Sequence, residues 1–414
     1  AAPSMVPTAA AAGALYVSAE NAQFDNLFGG PMIVEVIVKD PNRSMTNENA
    51  GEPTVLVDNQ RLRLAQGLDG NWYGYFGDST DIALLAVDYA AGNTLLNFTA
   101  TDDPKTSSAG TVITTYDTAT YASILSGGGV IDNPPALSNW NATDNTVCVA
   151  CGQIGVFNAD WPFIQAFDFT QEDFDVKLEQ AGADEVVTLE HNNNDLDDYA
   201  SLTLDRNSAT QGAEVMLFIV DQQLNIDPTD EDVVIFKVAD SATASTSSVA
   251  WTNGTIPFQM QDGGTMSTAS SVSGGYHAAG TGHGFSDNGK LLIHMNPTGA
   301  DVAVLEKSAT ADDTITDTTN NFTYLVFFED ADNTGTFSNV DDADNANLDV
   351  KALAKRGTTA TFDYNDSAQS FVVANDFGTI DMDESSVGDE WNSGEDLVVT
   401  LADQDLNKNT LNDE

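Results

Sequence analysis

Oxygen-bearing side chains at alternate positions mark the places where this sequence could do chemistry. The run Asp330–Asp341 sets Asp330, Asp332 and Thr334 at positions 1, 3 and 5, Gly335 at 6, Thr336 at 7 and Asp341 at 12. A hard cation such as calcium takes about six to eight oxygens, and a loop that turns sharply at its sixth residue can supply them. An aspartate at the last position reaches less far than a glutamate would. Three further loops carry the same alternation: Asp40, Asn42, Ser44 and Thr46; Asp221, Gln223, Asn225 and Asp227; Asp403, Asp405, Asn407 and Asn409. Two chemistries fit them. They bind calcium or another divalent cation, or they are Asx turns that end a strand and hold no ion. Arg43 inside the first loop counts against a cation there. The candidate ligands are therefore Asp330, Asp332, Thr334, Thr336 and Asp341, then Asp221, Asn225 and Asp227, and Asp403, Asp405 and Asn407.

Catalytic groups are few. The histidines are His191, His277, His283 and His294, and none stands at a metal-ligand or triad spacing from a recognisable nucleophile motif. His277 and His283 lie in a glycine-rich stretch that opens no helix, so it does not read as a phosphate loop. With 64 acidic residues, carboxylate pairing alone identifies no glycosidase. The chain reads as a non-enzyme. Cys148 and Cys151, separated by two residues between strand-like flanks, read as a small structural disulfide; a redox motif and a zinc half-site are the alternatives. Six Asn-x-Ser/Thr sequons, at Asn42, Asn97, Asn141, Asn253, Asn321 and Asn365, are candidate glycosylation sites.

The elements that position these groups read as strands. Apolar runs are short, β-branched and bounded by Gly, Asn, Asp and Ser, as in Met32–Val38, Val233–Val238 and Tyr324–Phe328. That pattern predicts an all-β chain of sandwich domains. A strand ending in Asp and followed by an Asn-bearing loop occurs three times, and Asp40, Asp221 and Asp403 lie 181 and 182 residues apart. A short strand precedes each copy, from Leu15, Ser201 and Gly378. Phe174–Lys177 and Leu348–Lys351 form a second matching pair. Alternation should turn Ile37, Ile219 and Leu401 towards a core. The organisation expected is a flexible tail over 1–14, a first unit over 15–200, a second over 201–377, each of one or two sandwiches, and the start of a third over 378–414. Two strands form no stable sheet alone, so residues 378–414 imply a longer protein or pairing with another chain.

Composition narrows the function. The net charge is −50, from 64 acidic against 14 basic residues. Nucleic acid and anionic membranes are poor partners for such a surface. No apolar run is long enough to span a bilayer. The Ala-rich start resembles a mature N-terminus left by signal cleavage, which with the sequons favours an extracellular location.

The three signatures, Leu-Asp-type strand, Val-rich strand and Asp-x-x-Leu-Asn loop in a long acidic chain, resemble archaeal surface-layer proteins, most closely those of marine ammonia-oxidising archaea. The likeness covers 15–64, 201–238 and 378–414 best, and the first copy departs from it as Asp40-Pro41-Asn42. It implies tandem immunoglobulin-like β-sandwich domains that self-assemble into a cell-surface lattice, cation-dependent assembly, N-glycosylation and acidic pores that pass cations such as ammonium. The alternatives are an adhesin or pilus-like stalk of the same domains, and a secreted hydrolase whose catalytic part lies elsewhere.

Overall fold

The computed structural model describes residues 13–30, 32–45, 51–66, 69–79, 111–113, 163–169, 173–229, 231–239, 261–262, 291–294, 304–307, 316–317, 322–341, 343–365, 367–383, 385 and 390–412. They are largely β-strand with little helix.

Two sheets share the first core. One runs in the order Leu15–Val17, Val34–Val38, Trp72–Asp78, Phe163–Phe167, Thr111–Ile113, with Ala65–Gln66 beside Trp72–Asp78. The other runs Leu27–Phe28, Glu185–His191, Asp173–Glu179, Thr54–Val57, Gln60–Leu62. In Asp173–Glu179, Phe174, Val176 and Leu178 are buried and alternate with more exposed polar residues, the pattern of a strand with one face on a core. Those three side chains meet Val34, Val36, Val38, Trp72 and Phe76 in one apolar cluster. Phe28 packs edge-on against Phe76, Phe169 and Phe174, with ring centres 5.4 to 6.2 Å apart.

The second core lies among three sheets. One takes Ser201–Leu204, Leu217–Val220, Thr336–Ser338, Phe322–Glu329, Asp232–Ala239 and Gln261–Asp262 in order, with Thr316–Asp317 beside Phe322–Glu329. Another takes Ser208–Ala209, Gln369–Val373, Thr359–Tyr364 and Leu291–His294, and Leu305–Lys307 pairs with Leu348–Val350. Phe174–Lys177 and Leu348–Lys351, alike in sequence, thus sit in differently connected sheets.

The second core also takes in Ile33, Tyr75, Ile164 and Ala166 from the first group of strands. The Val34–Val38 sheet therefore has apolar neighbours on both faces. This is why Met32–Val38 is almost continuously apolar instead of alternating.

The three signature hairpins share one register. Leu15 pairs with Val38, Leu202 with Ile219 and Ile380 with Leu401, in each case two residues before the signature aspartate. Beyond this pair, the N–H groups of Ser18, Asp205 and Asp383 donate to the carbonyls of Glu35, Met216 and Val398, each five residues before its aspartate, at 2.9, 3.2 and 2.9 Å. This corrects the first copy: Val38, not Ile37, is the counterpart of Ile219 and Leu401. Val34, Val36 and Val38 are fully buried, whereas Ile37 is half-buried. Ile219 faces a core as expected. Leu401 does not, because the Thr379–Met382 and Val399–Ala402 strands pair only with each other and every residue of both is exposed.

Candidate functional site

Each signature aspartate ends its strand by an Asx turn. The Oδ1 atoms of Asp40, Asp221 and Asp403 accept the N–H of Asn42, Gln223 and Asp405 at 2.9, 2.9 and 3.0 Å. Their backbone carbonyls accept the N–H of Arg43, Leu224 and Leu406. In the second and third copies the turn becomes one 3-10 turn, Gln222–Leu224 and Gln404–Leu406, closed by Asn225 and Asn407. The side-chain oxygen thus replaces the hydrogen bond that the ladder can no longer give. In the first copy Arg43 folds the loop back instead, donating to the carbonyls of Gly51 and Glu52 at 2.9 and 3.1 Å.

The Asp330–Asp341 segment is built around a residue that its spacing does not single out, Glu329. Glu329 is buried, and its Oε1 accepts the N–H groups of Thr334 and Gly335, both at 2.7 Å. Its Oε2 accepts the N–H of Asp232 at 3.0 Å. Asn333 and Gly335 both adopt left-handed backbone, at φ 56° and 63°, which turns successive N–H groups inward as an anion nest. Asp330 and Asp332 are exposed at the tip. Thr334 and Thr336 are half-buried, and Asp330 N–H donates to the Thr336 carbonyl at 2.9 Å. Asp341 lies beyond the hairpin and accepts the N–H groups of Ala343 and Asn345 at 2.9 and 2.8 Å, closing its own turn.

The structure brings the Asp221 and Asp330 loops together. Asp221 N–H donates to the Gly335 carbonyl at 2.8 Å, Gln222 to the Thr334 carbonyl at 2.8 Å, and Asn225 to Asn333 Oδ1 at 2.9 Å. The Tyr364 hydroxyl donates to Asp221 Oδ2 from the facing sheet. Asp227 Oδ1 accepts from the Thr229 N–H and hydroxyl. The Asp403 loop lies apart: Asp405 accepts from Asn375 and the Asp376 N–H, and the Asn407 carbonyl accepts from Arg206. Among the described residues no three His, Cys, Asp or Glu side chains are grouped to hold a metal ion.

The second and third loops also bond back to the chain leading into the preceding signature strand. Ile33 N–H donates to the Ile226 carbonyl at 3.0 Å, and Glu214 N–H donates to the Lys408 carbonyl at 2.9 Å. In both bonds the donor stands seven residues before one signature aspartate and the acceptor five after the next. A second contact repeats with donor and acceptor exchanged. Gln223 donates to the Asn193 carbonyl at 3.2 Å, and Asn375 donates to Asp405 Oδ2 at 2.8 Å, across equivalent positions. Asn333 adds a bond to the Ser18 carbonyl at 3.0 Å.

Acidic groups are buried at and near the first junction. Burial raises Glu35 to about 7, against the opposing pull of the Tyr75 hydroxyl 2.9 Å away and the charge of Lys39. Burial raises Glu329 to about 7 as well, although backbone N–H groups of Asp232, Gly335 and Thr334 oppose it. Asp232 is pushed well above the usual carboxylate range by burial and then by the charges of Glu329 and Asp227. Sequence reasoning missed Glu35, Glu329 and Asp232. Their signal was available as acids at the ends of, or inside, apolar strand runs.

Asn42 is exposed, while Asn365 Nδ2 donates to the Asp197 carbonyl, a bond that a glycan on that nitrogen would break. His191 packs against Phe28 and Phe169, and burial lowers its pKa despite the charge of Asp78. Cys148, Cys151, Asn97, Asn141, Asn253, Asn321, Thr46, His277 and His283 lie outside the described residues, as does the tail up to residue 12. Among the described residues no helix is long and apolar enough to cross a membrane. No protein-family model matches the chain, and no curated protein matches it.

Proposed function

We propose that this chain is a structural surface-layer protein, made of tandem immunoglobulin-like β-sandwich units, that self-assembles into a porous, negatively charged lattice around the cell. The observation that carries this reading is the repeated junction. The same backbone bond docks the second unit on the first and the third signature loop on the second, at 3.0 and 2.9 Å. A chain that docks like units in like fashion is an array, and arrays with acidic faces suit an extracellular coat. Fixed charge of −50 per chain draws cations, ammonium included, into narrow openings and repels anions. With a Debye length of about 8 Å at physiological ionic strength, only openings of that scale are selective. Divalent cations, calcium foremost, assist assembly by offsetting repulsion between copies, and Asn42 is the described sequon best exposed to carry a glycan.

Electron microscopy of cell envelopes, and of the purified chain with millimolar calcium, tests the proposal. A lattice giving sheet diffraction supports it. Isolated filaments or stalks would replace it with the adhesin reading.

A further inference from the structure

Two signature strands carry different side chains at one equivalent position. Glu35 stands five residues before Asp40, and Met216 stands five before Asp221. Both are buried. Met216 lies against the third signature loop, where its sulfur accepts the Thr410 hydroxyl at 3.3 Å. The second copy thus closes over a thioether, and the first closes over a carboxyl.

That carboxyl sits where the two cores meet. Ile33 and Glu35 lie on one face of their strand, and Val34 and Val36 on the other. Val34 and Val36 pack in the first core, whereas Ile33 and Tyr75 pack in the second. The Tyr75 hydroxyl donates to Glu35 Oε2 at 2.9 Å. Two residues before Glu35, the Ile33 N–H bonds across the joint to the Ile226 carbonyl at 3.0 Å.

The groups around Glu35 do little to neutralise a charge there. Tyr16, with Glu20 beside it, faces it from the Leu15–Val17 side. Tyr73, whose hydroxyl donates to Asp69, and Tyr75 face it from Trp72–Asp78. From the second core Asp227 acts on Tyr75, with Asp232 and Glu329 bonded behind it. Burial and then the Glu35 charge hold the Tyr75 hydroxyl well above its usual range, so it supplies a hydrogen bond and no proton. Lys39 supplies an opposing charge, but it is exposed and screened by water.

We propose that Glu35 is a proton-operated latch on this joint: protonated, it lets the two cores pack against each other; ionised, it draws water into the joint and frees the second core from the first. The direction follows from burial, which raises Glu35 from 4.5 to about 7. Closing the joint therefore binds a proton that opening releases. The latch holds fully below pH 4.5, weakens as pH rises, and is released above about pH 7. It belongs to one joint and works with or without a lattice.

Residue-resolved hydrogen exchange of the full chain at pH 5 and at pH 8, corrected for the intrinsic pH dependence of exchange, tests the latch. Protection of the Ile33 N–H should fall about tenfold or more between the two, while the Asp173–Glu179 strand, on the other sheet of the first core, keeps its protection. Glu35→Met, which borrows the residue of the second copy, and Glu35→Gln should each leave protection at Ile33 level with pH. The wild-type comparison of the two sites stands without either variant. Protection at Ile33 that is constant or rises with pH overturns the proposal. So does a fall shared equally by Asp173–Glu179, since the whole first core would then be unfolding. A fall that survives in both variants overturns it too, because Glu329 and Asp232 would then be its source.

Discussion

Replacing Glu329 by glutamine will flatten the dependence of stability on pH. The side chain is 3% exposed, and its pKa is raised from 4.5 to about 7. A carboxyl whose folded pKa lies above its unfolded value keeps a proton in the folded state that it loses on unfolding. Its contribution is complete below pH 4.5, declines as pH rises, and is gone above about pH 7. A shift from 4.5 to about 7 corresponds to about 3 kcal/mol across that window. Asp232 is raised beside it and shares the titration, so the loss belongs to the pair. Urea unfolding at intervals from pH 5 to 8 measures it. The wild type should lose stability steadily over this range, and Glu329→Gln should lose about 2–3 kcal/mol less between its ends. Its stability at pH 5 will fall, because the amide N–H₂ faces the donor N–H of Asp232 that Oε2 now accepts. Asp332→Asn, at the exposed tip of the same loop, removes a charge without touching the buried pair and serves as the control. A wild-type profile that is flat or rises towards pH 8, or a Glu329→Gln slope equal to the wild type's, refutes the reasoning.

Gly335→Ala should cost about 1–3 kcal/mol in denaturant melts, because φ is +63° and a Cβ would meet Gln222 Cδ at 2.7 Å. Tyr364→Phe removes the donor to Asp221, which is 1% exposed, and should destabilise by about 1–3 kcal/mol without altering the far-ultraviolet spectrum. Chelation should lower the melting temperature and disperse any sheets, with calcium and magnesium both restoring them if charge neutralisation is the cause. Unchanged melting and intact sheets after chelation remove divalent cations from the proposal.

The strands were legible where one face meets a core. Phe174–Lys177 alternates in sequence and is a strand with alternate burial. Met32–Val38 offers no phase to read, since its sheet is covered on both sides, and alternation alone does not tell Ile37 from Val38. The position of the aspartate carried the register more faithfully than hydrophobicity did: counting back two residues finds Val38, Ile219 and Leu401 alike. The oxygen spacing of Asp330–Thr336 was legible as a tight, glycine-centred loop. What the loop encloses was not, because the backbone turn that directs carbonyls to a cation resembles the one that directs N–H groups to a carboxylate. Only the placement of Glu329, one residue upstream of the pattern, separates the two here.

The bonds from Ile33 to Ile226 and from Glu214 to Lys408 join different surfaces of successive units, donor side to acceptor side. Such a contact has no two-fold axis, and the rotation it carries decides whether repetition closes a ring or runs on. Repeated along a tandem chain, such a contact would make the twist from each unit to the next depend on one small patch of backbone. A substitution there would tilt every later unit by the same angle, so a change of a few degrees at one repeated position would displace the far end of a long chain by many ångströms.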